Sequence, residues 1–187
     1  MNKTEILELL RKHKIDLSKW GVSEAKTLKH LVKEIVSGES QIISQKDGTL
    51  LRCTTGASVL VYYADGNRIL KLKEEKQVFK GGRERVRTLD TPLGYSSVGE
   101  KMKIGEQPIE AARRAISEEL CIKDDVSLVH KINFVKGPTP STSYPGLMTK
   151  HVLDIYELFL PTHLYKPEGY MEEQEDKTNY FIWVDSW

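Results

Sequence analysis

Hydrophobic positions in the first forty residues recur at helical intervals. Ile6, Leu9 and Leu10 share one face over residues 4–13, and Leu28, Leu31, Val32 and Ile35 share another further on. Ser23 is the expected N-cap of the second helix and Gly38 its expected stop, with the LSKWG stretch of 17–21 joining the two. From Gln41 the pattern changes. QIIS, TLLRC, SVLVYYA, RILKLK and QVFKG are short, β-rich runs divided by turn signals at Asp47-Gly48, Thr55-Gly56, Asp65-Gly66 and Gly81-Gly82. VLVYYADGNRILKLK reads as a hairpin across Asp65-Gly66-Asn67. Helical spacing returns once, from Pro108. Then VSLVHKINFV, HVLDIYELFL and YFIWV resume the strand pattern, with a turn-rich loop over 137–149 and an acidic EGYMEEQEDK stretch before the last of them. One helix inside a run of strands predicts an α+β fold with a mixed sheet. The expected organisation is a helical segment over 1–40 and a β-rich domain over 41–187.

Composition changes this picture little. With 39% hydrophobic and 29% charged residues the chain has the means to fold and stay in solution. Its net charge of +1 gives no global attraction to nucleic acid or membrane. The two cysteines, Cys53 and Cys121, fit no metal-ligand spacing and are too few for a disulfide scaffold, which suits a reduced, cytoplasmic protein. The charged N-terminus lacks a signal-peptide core, and no apolar run approaches the roughly 20 residues that span a bilayer. Trp187 follows directly on a strand, as it would in part of a longer protein.

The candidate chemistry lies in residues 99–122, GEKMKIGEQPIEAARRAISEELCI. Pro108 suits a first helical turn, and Ile109, Ala112, Ile116 and Leu120 then form the face that packs on the sheet. With Ala115 as the origin, Glu119 lies at about +40° and Glu118 at about −60° around the axis. Arg114 stands four residues before Glu118, within reach of an ion pair. Alone, a Glu-Glu pair near a helix C-terminus is ordinarily a solvated face. Adjacent carboxylates on a rigid helix are also suited to a hard divalent cation, Mg²⁺ or Mn²⁺, which takes one or two of them beside substrate phosphates and water.

The whole stretch resembles the Nudix box of the Nudix hydrolase superfamily: Gly, five residues, Glu, seven residues, Arg-Glu, an apolar residue, one residue, Glu-Glu, one residue, Gly, an apolar residue. With Glu106 on the first Glu, Arg114, Ile116, Glu118-Glu119 and Ile122 all fall into register without a gap. The resemblance implies a mixed β-sheet sandwiched by helices, and a metal-dependent hydrolase of a nucleoside diphosphate linked to another group. It implies Glu118 and Glu119 as catalytic metal ligands and Arg114 as their orienting partner. Three positions depart from it. Glu100 stands at the opening Gly, Cys121 at the later Gly, and Ala115 where the family has a metal-ligand Glu. The last leaves open a catalytically inactive module that binds a nucleotide or a partner protein. Glu100 is the first candidate to supply the missing carboxylate, and the acidic Glu172, Glu173 and Glu175 are the second.

Residues 68–87 carry eight basic residues against three acidic ones. Arg83, Arg85 and Arg87 are candidates for substrate phosphates, since a guanidinium matches phosphate oxygens two at a time. The same stretch is also compatible with a nucleic-acid patch, though it lacks interleaved aromatics, and with an ordinary solvated hairpin. Tyr144, in the long loop, is a candidate to stack on a base. The N-terminal helices have three open roles: capping the site, forming a homodimer, or packing only. The five histidines show no zinc spacing.

Overall fold

The computed structural model describes residues 1–86 and 90–186. In chain order its principal elements are α1 (Lys3–Lys12), α2 (Leu28–Val36), β1 (Gln41–Ser44), β2 (Leu50–Asp65), β3 (Arg68–Phe79), β4 (Glu84–Arg85), β5 (Asp90–Thr91), β6 (Gly94–Tyr95), β7 (Val98–Lys101), α3 (Pro108–Leu120), β8 (Val129–Pro140), β9 (Met148–Phe159), β10 (Tyr170–Glu173) and β11 (Lys177–Asp185). The main sheet runs β10-β11-β3-β2-β9-β8, with β1 and β7 also on β2 and β4 on β3. The architecture is the α+β arrangement expected. None of the described helices is long and apolar enough to cross a membrane. The chain divides into two compact units. One comprises Met1–Gly56, Lys101–Glu106 and Val135–Leu153, and the other the described residues of Ala57–Glu100, Gln107–Phe134 and Asp154 onward.

In the first unit α1 and α2 do not stand apart from the strands. Ile6, Leu10, Trp20 and Leu31 share one core with Ile42, Leu50, Tyr144 and Leu147. The amphipathic spacing read from the sequence is thus the face turned to this core. The start of α2 differs from expectation. Thr27, not Ser23, is the N-cap, and Ser23 adopts a left-handed φ of 55°. Beside the core lies a buried charge cluster. Glu34, 4% exposed, takes Arg52 at 2.5 Å, Lys26 at 2.7 Å and Lys101 at 2.8 Å. Burial alone would raise its pKa, but Lys101, Arg52 and Lys26 outweigh it and hold the carboxyl far below the usual range.

In the second unit the 65–67 hairpin forms as expected, with Asp65 opposite Arg68 and Tyr62 opposite Lys71. Thr55-Gly56 does not break the chain. β2 continues through it as one 16-residue strand, because β-branched Thr54 and Thr55 favour the extended backbone. The expected 137–149 loop shortens, since β8 extends to Pro140 and β9 begins at Met148. Part of the acidic stretch is also strand: β10 pairs antiparallel with β11, from Tyr170 opposite Phe181 to Glu173 opposite Thr178. Gly169 makes that approach possible. It has φ +85°, and a Cβ there would lie 1.9 Å from the Phe181 carbonyl oxygen. Gly169→Ala should cost at least about 2 kcal/mol, from left-handed strain and the clash together, measured by urea unfolding.

Helix α3 covers the residues its spacing predicted. Pro108 sits in the first turn, and the Gln107 N–H donates to Glu110 Oε2 at 2.7 Å. Ala111, Ala112, Ala115, Ile116 and Leu120 are buried. The helix ends on Cys121 in the left-handed conformation, φ 56°. That conformation is where glycine is favoured, and it falls at a position where the Nudix box has Gly. Cys121→Gly should therefore stabilise the protein by about 0.5–1 kcal/mol, the relieved strain exceeding the added freedom of the unfolded chain. A lower urea midpoint for that variant would contradict the cap assignment.

Candidate active site

The second unit holds a pocket of about 100 Å³ whose lining includes Glu74, Glu100, Glu119, Glu172 and Asn179, together with Lys73, Lys177, Gln77 and Tyr95. Each carboxylate reaches it by a different route. Glu119 comes from the last turn of α3 and accepts the Gly99 N–H at 2.9 Å. Gly99 lies in β7, where a Cβ would stand 3.0 Å from the Ala57 carbonyl oxygen, so a larger residue would push β7 away. Ser97 helps anchor this segment to the sheet. Its hydroxyl donates to the Leu72 carbonyl at 2.6 Å and accepts the Val61 N–H at 3.0 Å.

Glu172 comes from β10. Its two oxygens accept from the side-chain amides of Gln174 at 2.7 Å and Asn179 at 2.6 Å, which fix its orientation. Glu74 comes from β3, beside a bulge. Tyr180 pairs with Lys76 and Phe181 with Glu74, leaving Glu75 as the extra residue. In a regular strand Glu74 and Gln77, three apart, would face opposite sides. The extra residue puts both on the pocket side.

The electrostatics follow from this convergence. Burial pushes the Glu119 pKa well above the ordinary carboxylate range; the Gly99 N–H opposes it, and the like charges of Glu100, Glu172 and Glu74 add to the rise. Such a site favours a proton or a cation. Carboxylate and amide oxygens are hard donors of the kind Mg²⁺ and Mn²⁺ prefer, so the residues present fit that class of ion. Among the described residues no three His, Cys, Asp or Glu side chains form a ready metal cluster. Water, an amide oxygen or a substrate phosphate would have to complete the shell.

The sequence-nominated residues are only partly gathered. Arg114 lies 3.2 Å from Glu100 and 3.5 Å from Glu118, so it holds the loop carboxylate and its own helix neighbour together. Glu118 itself is about half exposed and lines a different groove, with Ser117, Lys123 and Asp125. The helical Glu pair therefore splits between two surfaces. Arg83 and Arg85 lie over the Phe79 ring at 4.3 and 5.2 Å. Arg85 also donates through two nitrogens to Gln77, whose side chain lines the pocket. Arg87 lies outside the described residues. Tyr144 is corrected: it is 0% exposed in the first unit's core, 5.1 Å from the Trp20 ring and beneath the Arg52 guanidinium. A ring packed there is not presented for base stacking. Glu173 and Glu175 are not among the pocket's lining residues. Sequence reasoning missed Glu74, Asn179 and Lys177, and held Lys73 only as one of the basic residues of 68–87. Their only signal is polar residues on interior strands, and the bulge that unites them leaves no mark in composition.

No protein-family model matches the sequence, and no curated protein matches it. Solved structures do. The chain is similar to the E. coli dihydroneopterin triphosphate pyrophosphohydrolase, at 19% identity over 70% of this chain and 80% of that one, with a TM-score of 0.43. It is similar to a C. elegans Ap4A hydrolase, at 14% identity over 70% and 79%, TM-score 0.39. It is also similar to the T. brucei MERS1 protein in complex with RNA, at 12% identity over 84% of this chain and 52% of that one, TM-score 0.40. The functional reading rests on the residues of the pocket itself.

Proposed function

We propose that this chain is a Nudix-type, metal-dependent hydrolase acting on a nucleoside diphosphate linked to another group. The observation that carries the reading is the convergence of part-buried Glu119 with Glu100, Glu172 and Glu74 on one pocket. It stands beside the box register of Arg114, Ile116, Glu118-Glu119 and Ile122. Glu119, Glu100 and Glu172 would hold the ion. When bound, Mg²⁺ or Mn²⁺ polarises a phosphoryl oxygen and acidifies a water. The chain's own residues do the rest. Arg114 positions Glu100, and Gln174 and Asn179 orient Glu172. Lys73 and Lys177 place two cationic side chains at the pocket for phosphate oxygens, with Arg83 and Arg85 nearby on β4 and the turn before it. Glu172 takes over the part of the carboxylate that Ala115 cannot supply.

A second reading has its own support. Ala115 brings no carboxylate, and Glu118 faces away, which suits a module that binds a nucleotide or partner without turnover. The two separate in one assay. With Mg²⁺ or Mn²⁺, a panel of ADP-ribose, dinucleoside polyphosphates and nucleoside diphosphate sugars should yield a hydrolysed member. Binding of such compounds with no turnover under either metal would favour the second reading.

A further inference from the structure

We propose that Lys71, Tyr62 and Tyr95 form an anion site for a phosphate monoester dianion, beside the Glu119 pocket but built on different groups. Its foundation is a buried cation with nothing to accept its protons. Lys71 is 5% exposed. Its Nζ lies 4.2 Å from the centre of the Tyr95 ring and 5.4 Å from that of Tyr62. Among the described residues it has no hydrogen-bond or ion-pair partner. The strand register explains the gathering. Tyr62 stands opposite Lys71 in the β2–β3 pair, so both side chains lie on one face of the sheet. Tyr95 comes from β6, and Gly94 before it lets the turn close on the amine, because a Cβ there would lie 3.1 Å from Lys71 Nζ.

Every polar group here can donate. An ammonium carries three N–H donors and a phenol one O–H. The Tyr62 and Tyr95 hydroxyls, like the amine, have no acceptor among the described residues. Lys73 adds a second cation, 5.9 Å from the same Tyr95 ring. Glu157 is the carboxylate whose charge acts on Lys71, but it is held by Lys131 at 2.7 Å, and burial still lowers the Lys71 pKa against it. The rings return part of the lost hydration by cation–π contact, yet they leave the N–H groups without an oxygen. A tetrahedral dianion meets both needs. Two ammonium groups match its two charges, and the phenol hydroxyls can donate to its remaining oxygens. Tyr62 and Tyr95 are each partly exposed, which leaves a way in from solvent. Phe159, stacked on Tyr62 and 52% exposed, supplies an apolar rim for the group that carries the phosphate. Tyr95 and Lys73 also line the Glu119 pocket, whereas Lys71 does not.

The test is binding of inorganic phosphate to the full chain by isothermal titration calorimetry, at about pH 8, where phosphate is a dianion, with metal removed by EDTA. Without metal the carboxylates around Glu119 repel phosphate, so that pocket does not contribute. Wild type should bind one phosphate per chain. Lys71→Met should weaken binding by at least about tenfold and Tyr95→Phe by about threefold, because a hydrogen bond from a charged donor is worth more than one from a neutral donor. Acetate, with half the charge, should bind at least about tenfold more weakly than phosphate. Absence of saturable phosphate binding, a Lys71→Met titration identical to wild type, or acetate binding as tight as phosphate overturns the proposal. If Lys71→Met does not fold, a wild-type crystal soaked in tungstate, a tetrahedral dianion, decides: an anomalous peak about 4 Å from Lys71 Nζ supports the site, and its absence there rejects it. The site goes beyond the hydrolase reading and does not depend on it. Turnover without phosphate bound at Lys71 removes only this site, and phosphate bound at Lys71 without turnover removes only the hydrolase.

Discussion

Glu119→Gln should abolish metal-dependent hydrolysis, by at least about a thousandfold, while making the metal-free protein more stable. The two effects share one cause. An ionised Glu119 is part-buried beside Glu100, Glu172 and Glu74, so its negative charge is unfavourable without a cation. The neutral amide removes the repulsion and keeps an oxygen to accept the Gly99 N–H. It also removes a ligand charge. A metal's transition-state stabilisation is several kcal/mol, and each 1.36 kcal/mol is tenfold in rate, so about 4 kcal/mol gives the thousandfold loss. A residue with a merely structural role would lower activity and stability together. Steady-state kinetics and urea unfolding without metal, measured on the same preparation, separate these cases.

The pH dependence follows from the same group. Its folded pKa is raised, so between the unfolded carboxylate value and the folded one the native state binds more protons. Stability then falls as pH rises through that interval. Glu34, in the first unit, has the opposite sign. Its folded pKa is depressed, so its contribution is present above the ordinary carboxylate range and is lost on acidification.

Glu34→Gln should destabilise the protein by about 3–5 kcal/mol, a large part of the 5–15 kcal/mol typical of a domain. Arg52 is 4% exposed, and its Nε already lacks a hydrogen-bond partner. Neutralising Glu34 strands that guanidinium, over the Tyr144 ring, with Lys26 and Lys101 also left without their common carboxylate. The size of the effect reflects the orphaned charge rather than the worth of the pair. Replacing Glu34 by Leu and Arg52 by Met together should recover most of the loss. A double variant no more stable than Glu34→Gln would mean that the cluster is needed for its hydrogen-bond geometry and not for charge balance.

What the sequence conveyed depended on whether the signal was local. Helix α3 was legible because Pro108 and the spacing of Ala112, Ile116 and Leu120 are properties of one segment. The Asp65-Gly66 hairpin was legible for the same reason. Thr55-Gly56 misled because pairing within the sheet overrides a turn signal, and Ser23 because a capping residue is not unique until its helix is placed. The site divides along the same line. Glu119, Glu100 and Arg114 stand on one continuous stretch, so the sequence can nominate them together. Glu172 is one of three acids, with Glu173 and Glu175, that the sequence offers for the missing carboxylate, and its place in the same pocket as Glu119 depends on β10 pairing with β11. Glu74 and Asn179 needed a strand register with a bulge in it, which no pattern of residues announces. Tyr144 was an aromatic in a turn-rich loop, and only packing against Trp20 and Leu147 showed it to be core.

On the proposed function, the carboxylates around Glu119 bind a divalent cation. The most direct test is thermal unfolding of the wild-type chain with and without Mn²⁺, at pH 5 and pH 8. Without metal, Tm should be lower at pH 8 than the remaining titrating groups explain, an excess that Glu119→Gln abolishes. Mn²⁺ at about a hundredfold over its dissociation constant should raise Tm by about 5–10 °C at pH 8, and by less at pH 5, where protons compete for the same oxygens. No Mn²⁺-dependent shift at either pH, or an equal shift in Glu119→Gln, would contradict it.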